Sequence, residues 1–162
     1  MPASEPTGST APARGRVLFL CTGNSARSQI AESLVNHHLG EQWEAHSAGS
    51  TPAGYVHPLA VEALSEIGVS PSGLHSKSVD AFRGEHFDLV VTLCGDAEQC
   101  PVWLGGGALV HMSFPDPAAA EGTRAERLEA FRRIRDALAR EVLALLRPLE
   151  VSRGLDPSLV QH

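Results

Sequence analysis

The chain has 162 residues, 43% of them apolar but only 5% aromatic, and a formal net charge of −6 with its eight histidines neutral. That length supports one domain with an aliphatic core and leaves little room for two. An acidic balance without a basic stripe excludes a nucleic-acid partner, no apolar run approaches the roughly 20 residues of a membrane span, and the start Met1-Pro2-Ala3-Ser4-Glu5-Pro6 has no hydrophobic signal core.

Residues 1–14 are rich in Pro, Ala, Ser, Thr and Gly without a period and read as a disordered leader. The domain is expected over 15–148. Arg16 to Leu20 is a first strand, buried on both faces because its apolar residues do not alternate with polar ones. A turn of small and polar residues, Cys21 to Ser28, leads into a helix from Gln29 to Leu39. That helix sets Ile30, Leu34 and His38 on one line with Ala31 and Val35 beside it, and Gly40 is its expected stop. Trp43 to Ala48 is a second strand, followed by the loop Gly49 to Gly54. A helix from Pro58 turns Leu59, Ala63, Leu64 and Ile67 inward and stops at Gly68. After a polar connection, a short helix over Val79 to Gly84 precedes the third strand, Phe87 to Leu93, which Cys94 ends. Five residues separate Cys94 from Cys100, and the glycine-rich 101–107 stretch is expected to move. Ala108 to Phe114 is the fourth strand and runs into Pro115-Asp116-Pro117. The last helix starts at the N-cap Thr123, turns Leu128, Phe131, Ile134 (or Arg135), Leu138, Val142 and Leu145 to one face, and ends at Pro148. Residues 149–162 form a loose tail.

Strands alternating with helices predict an α/β domain, a four-stranded parallel sheet covered by helices on both faces. Loops leaving the carboxyl ends of such strands share one edge, where ligands bind. Cys21 follows the first strand, Cys94 the third and Asp116 the fourth, so all three project to one edge.

A cysteine on its own is most often a small buried apolar residue. Cys21, however, opens C-x5-R followed by Ser28 at a strand-to-helix turn. The turn, from Thr22 through Gly23, Asn24, Ser25 and Ala26 to Arg27, points backbone N–H groups inward, and the helix adds its positive end. Together they make a socket for a tetrahedral oxyanion. Gly23 and Asn24 tolerate a left-handed backbone. Arg27 grips two anion oxygens with its planar fork, and at the socket's rim the same field favours the Cys21 thiolate. Asp116 is either an ordinary turn aspartate or a general acid for the leaving oxygen. Glu32 reads as a solvated surface acid, and His57 and His75 as surface or capping groups.

The other two cysteines leave three readings open. A phosphatase needs neither and would simply bury them. Zinc would need a second pair beside the wide Cys94–Cys100 spacing. In a reductase, Cys94 attacks a Cys21–arsenic adduct, and Cys100 then takes the oxidation outward.

The chain resembles the thioredoxin-coupled arsenate reductases, which share a flavodoxin-like fold with the low-molecular-weight protein tyrosine phosphatases. The resemblance runs from about Val17 to Leu146 and rests on Val17 to Ser25, Ser47-Ala48-Gly49, Val91-Thr92-Leu93-Cys94 and Asp116-Pro117. It implies Cys21 as nucleophile, Arg27 and the loop amides as oxyanion binders, Ser28 as a hydroxyl near the thiolate and Asp116 as acid. It implies a relay in which a Cys21–Cys94 disulfide gives way to Cys94–Cys100, which thioredoxin reduces; paired relay cysteines favour thioredoxin over a small-thiol donor. Arsenate is the implied substrate, with phosphate or sulfate competing and no tightly bound cofactor. Ala26 stands where some relatives carry an extra cysteine, and the Cys94–Cys100 gap is one residue shorter than in well-known relatives. Some relatives hold potassium beside the anion loop: Asn24, Glu32, Ser47 and Ser76 match that site, but Ser78 stands where an acid is expected. The rivals are a tyrosine phosphatase, for which one tyrosine (Tyr55) and Ala118-Ala119-Ala120 after Asp116-Pro117 are poor aromatic walls, and a non-catalytic redox or oxyanion sensor. A cytoplasmic monomer is expected.

Overall fold

The unalternating run after Gly15 is explained by its place at the centre of a sheet. In the computed structural model, which describes residues 14–95, 103 and 105–149, strand β1 (Gly15–Cys21) lies between β2 (Trp43–Gly49) and β3 (Leu89–Thr92), with β4 (Ala108–His111) outside β3. All the pairings are parallel. Val17, Phe19 and Cys21 point to one face and Leu18 and Leu20 to the other, and each set is buried in its own cluster. Residues 1–13 of the predicted leader, Cys100 and the tail from 150 onward lie outside the described residues, as does most of the 101–104 stretch.

The covering of the two faces is unequal. Helices α1 (Arg27–His38), α2 (Pro58–Glu66) and α3 (Arg124–Leu146) all contribute to the larger cluster, through Ile30, Leu34, Leu59, Leu64, Phe131 and Leu138 among others. Against the opposite face, Leu18, Leu20, Ala48 and Val90 pack with Phe82 of the 3₁₀ turn Val79–Phe82, with Phe87 and with Trp103.

Several boundaries differ from expectation, each for a local reason. Helix α1 begins at Arg27, two residues early, because the Ile30 N–H already bonds to the Ala26 carbonyl. His38 is exposed and Leu39 takes the inward place. Gly40 is not a left-handed stop; α1 ends at His38 with Leu39 as its C-cap, and a Cβ on Gly40 would lie 2.4 Å from the Asn36 carbonyl oxygen. Ile67 is 42% exposed because α2 has ended, whereas Gly68, at φ +76°, does supply the expected left-handed stop. Strand β4 stops at His111 rather than Phe114: β3 offers it four partners, after which the chain swings toward β1's carboxyl end. Along α3, Leu143 and Leu146 are buried and Leu145 is only half-buried. Thr123 and Glu126 form a reciprocal capping box at its start. Leu149, placed in the expected tail, is buried in the core.

Helices α2 and α3 are clamped by Glu66, whose carboxylate accepts from Arg132 and Arg135. Arg135 also bonds to the Ala63 carbonyl near the end of α2. The Arg132 hydrogen bond, with help from Arg135, lowers the Glu66 carboxyl from 4.5 to about 2. A carboxyl lowered on folding stabilises above its unfolded value and loses that contribution as pH falls through its folded value. Between pH 4.5 and 2, the denaturant midpoint of the wild-type protein is therefore expected to fall more steeply than that of Glu66→Gln. Parallel curves would show that the clamp contributes nothing.

Candidate active site

The backbone of the Cys21–Arg27 turn is held from outside by its carbonyls. Thr22 C=O accepts from Thr51 N–H, Gly23 C=O from Ala53 N–H, and Ser25 C=O from His57 N–H, at 2.8–2.9 Å. Asn24 C=O accepts from the Gln29 side-chain amide at 2.9 Å. In a trans peptide the C=O and the following N–H point opposite ways, and none of the described peptides is cis. With four successive carbonyls drawn outward, the N–H groups of Gly23, Asn24, Ser25 and Ala26 face the other side. There, Cys21 through Arg27 and Asp116 line a cavity of about 200 Å³. Helix α1 starts at this cavity, and its N-cap Ala26 makes no side-chain hydrogen bond to it. Local donors and the helix end converge on one concavity suited to an anion.

Of the two residues expected to carry left-handed backbone, only Asn24 does, at φ 49°. Its side chain explains why asparagine stands there. Oδ1 accepts from Gln29 Nε2 (2.9 Å) and from the Lys77 N–H (2.7 Å), and Nδ2 donates to Ser28 Oγ (2.7 Å). Gly49 supports this arrangement by having no side chain, since a Cβ there would lie 2.5 Å from the Thr22 carbonyl oxygen. Ser28 Oγ lies 2.9 Å from Cys21 Sγ. Cys21 is a free thiol only 2% exposed, so it belongs to the cavity's buried lining and not to its rim.

Arg27 is buried and donates from one terminal nitrogen to the Phe114 carbonyl at 3.0 Å, while the other lies 3.9 Å from Asp116 Oδ2. Asp116 does two things: Oδ1 caps the 3₁₀ turn Pro117–Ala119 by accepting from Ala118 N–H, and Oδ2 faces Arg27 beside the cavity. Cys94 is fully buried and disulfide-bonded, and its sulfur lies 3.9 Å from the Thr22 hydroxyl. The structure thus brings Cys21, Arg27, Ser28, Asp116 and Cys94 to one edge of the sheet. Cys100 lies outside the described residues.

Glu32 is not the solvated acid its helical position suggested. It accepts from Ser47 Oγ at 2.5 Å and lies 3.7 Å from the Lys77 ammonium, with both side chains largely buried. Ser76 accepts from Gly54 N–H and donates to the Gly23 carbonyl, and Ser78 caps the turn at Asp80. His57 caps α2 by accepting from Leu59 N–H, its ring against Phe131; burial lowers its basicity, with Arg127 adding to that and Asp116 opposing it. His75 is exposed. Sequence reasoning missed Gln29 and Lys77. Their signals were faint: Gln29 is a polar residue in the first turn of a buried helix, and Lys77 is a lysine in a loop of serines. Among the described residues, no three His, Cys, Asp or Glu are grouped to hold a metal ion, and no helix is long and apolar enough to cross a membrane.

A family profile described as low molecular weight phosphotyrosine protein phosphatase matches residues 16–154. An arsenate reductase from Halalkalibacterium halodurans is 45% identical over 127 residues, covering 78% of this chain and 91% of that protein. The thioredoxin-dependent arsenate reductase of Corynebacterium glutamicum superposes with a TM-score of 0.53 at 36% identity, over 85% of this chain and 66% of the other. An arsenate reductase in its phosphate-binding state gives a TM-score of 0.71 at 28% identity, over 83% of this chain and 98% of that one.

Proposed function

This chain belongs to the low molecular weight phosphotyrosine protein phosphatase family, and from that premise we propose that it is an arsenate reductase that draws its electrons from thioredoxin. The observation that carries the reading is a free cysteine on an anion-shaped cavity with a second, disulfide-bonded cysteine against the same loop. A phosphatase needs only the first.

Arsenate sits in the cavity on the amides of Gly23 to Ala26 and on Arg27, with phosphate or sulfate competing for the same donors. Cys21 attacks arsenic as the thiolate. Ser28, with one lone pair occupied by Asn24, has its hydroxyl proton to give to that sulfur. Asp116 protonates the departing oxygen, which leaves as water. Cys94 then attacks Cys21 sulfur: a Cys21–Cys94 disulfide forms, the sulfur–arsenic bond breaks, and its electron pair leaves with arsenic as arsenite. Cys100 attacks Cys94, Cys21 departs as thiolate, and the Cys94–Cys100 disulfide passes to the thioredoxin dithiol, which supplies the two electrons. A free Cys21 beside a disulfide-bonded Cys94 is the state expected after the second exchange.

The phosphotyrosine reading is weaker. No aromatic ring lines the described cavity, and Tyr55 is 55% exposed. A slow hydrolysis of small aryl phosphates is retained, because the nucleophile, anion seat and acid are shared. Arsenate-dependent NADPH oxidation is expected with thioredoxin and thioredoxin reductase, and not with glutathione and glutaredoxin. Turnover with the second mixture alone would overturn the donor; turnover with neither would overturn the reductase.

A further inference from the structure

Lys77 is a charged side chain only 11% exposed, directly behind the anion loop. Removing an ammonium from water is costly unless it is paired and hydrogen-bonded. Here the Nζ donates to the His75 carbonyl at 2.8 Å and lies 3.5 Å from Ser47 Oγ and 3.7 Å from Glu32 Oε1. Burial lowers its basicity, and Glu32 opposes that shift. Its backbone is pinned at both ends: the N–H donates to Asn24 Oδ1, and the carbonyl accepts from Gly49 N–H at 2.9 Å.

The groups that would hold potassium in some relatives do not fit that ion here. Asn24 Oδ1 already accepts two protons, Ser47 Oγ donates to Glu32, Ser76 Oγ is engaged with Gly23 and Gly54, and the ammonium stands against Glu32 and Ser47. We propose that Lys77 is a positioning residue whose ammonium serves as a built-in monovalent cation behind the anion loop, so that this protein needs no alkali-metal ion there.

A continuous set of contacts links that charge to the sulfur. The His75 carbonyl receives both Lys77 Nζ and Gln29 Nε2, each at 2.8 Å. Gln29 reaches Asn24, Asn24 reaches Ser28, and Ser28 lies against Cys21. The ammonium neutralises Glu32 and fixes the His75 carbonyl, and through Gln29 and Asn24 it holds the loop amides where an oxyanion meets them. A lysine does this with directed protons and cannot diffuse away, whereas a bound ion would come and go with its concentration.

The inference deepens the proposed function, so its test is read without turnover. Thermal midpoint and phosphate affinity, the latter by calorimetry, are measured in potassium, sodium and tetramethylammonium chloride at equal ionic strength. Wild-type protein is expected to give the same values in all three salts. Lys77→Ala, which leaves space and an uncompensated Glu32, should lower the midpoint and weaken phosphate binding roughly tenfold, the usual scale for losing a residue that orients a binding group. Potassium, but not tetramethylammonium, should recover much of both. Lys77→Met should show the same loss without recovery, since its side chain fills the space, and adding Glu32→Gln to it should restore part of the midpoint. A wild-type response to potassium would overturn the proposal, as would a Lys77→Ala loss that potassium leaves untouched, or no loss at all. If wild-type protein binds phosphate as described but reduces no arsenate, the reductase reading fails and this one stands.

Discussion

Replacing Cys94 by serine is expected to lower thioredoxin-coupled arsenate reduction by roughly three orders of magnitude or more, as removal of a residue that itself forms the reacting bond does. Hydrolysis of p-nitrophenyl phosphate should stay within about threefold of wild type, since no step of phosphoryl transfer passes through Cys94. The split follows from where the residue stands. Its sulfur is 3.9 Å from the Thr22 hydroxyl but is not among the groups lining the oxyanion cavity. Serine keeps the size and loses the exchange chemistry, because an alcohol cannot take the Cys21 sulfur from arsenic at neutral pH. The variant should therefore bind arsenate and release no arsenite. Parallel assays of arsenite and nitrophenol measure both arms. Near-normal arsenite release would mean that electrons reach arsenic without Cys94, and loss of both activities would mean that the substitution had damaged the loop.

Arg27→Lys is expected to reduce kcat/KM for arsenate by roughly 10²–10³, the scale for losing one preorganised donor to an oxyanion. Phosphate hydrolysis should fall by a similar factor, which distinguishes this variant from the one at Cys94. Charge is conserved in the substitution, so the loss reports geometry. The guanidinium can hold the Phe114 carbonyl with one terminal nitrogen while its other arm, 3.9 Å from Asp116, reaches into the cavity. An ammonium is a point donor on a flexible stem and cannot satisfy both directions with a fixed plane. Steady-state kinetics with arsenate and with an aryl phosphate, alongside a thermal midpoint, make the check. Wild-type kcat/KM for both substrates would remove Arg27 from the oxyanion site.

The strands, the turn after Cys21 and the capped last helix were legible because each is written in consecutive residues. A short apolar run without alternation, closed by turn residues, reads as a strand covered twice, as Val17 to Leu20 do. Cys21 to Ser28 carries its own turn chemistry, and Thr123 carries a cap. Boundaries were less secure where the deciding contact came from elsewhere. Nothing near Phe114 tells that β3 offers only four pairing partners, or that the Phe114 carbonyl is wanted by Arg27. Glu32 was misread for the same reason: its spacing on α1 describes a helical face, and its partners, Ser47 and Lys77, lie far along the chain.

The amino-acid order by itself determined that a tight turn of small and polar residues follows the first strand, with a cysteine at its head and an arginine at its foot. It also determined that strand-end residues from three parts of the chain share one edge, since parallel strands joined by crossovers leave their carboxyl ends together. Only the tertiary structure decided which polar groups stand behind that turn. The parallel bridge between Gly49 and Ser78 draws the 75–78 segment against Asn24, and that single pairing buries a lysine next to a glutamate some 45 positions away. Short-range patterns encode backbone shape, because torsions and periodicity depend on near neighbours. The partner of a buried charge depends instead on how distant segments close, and no local pattern records that.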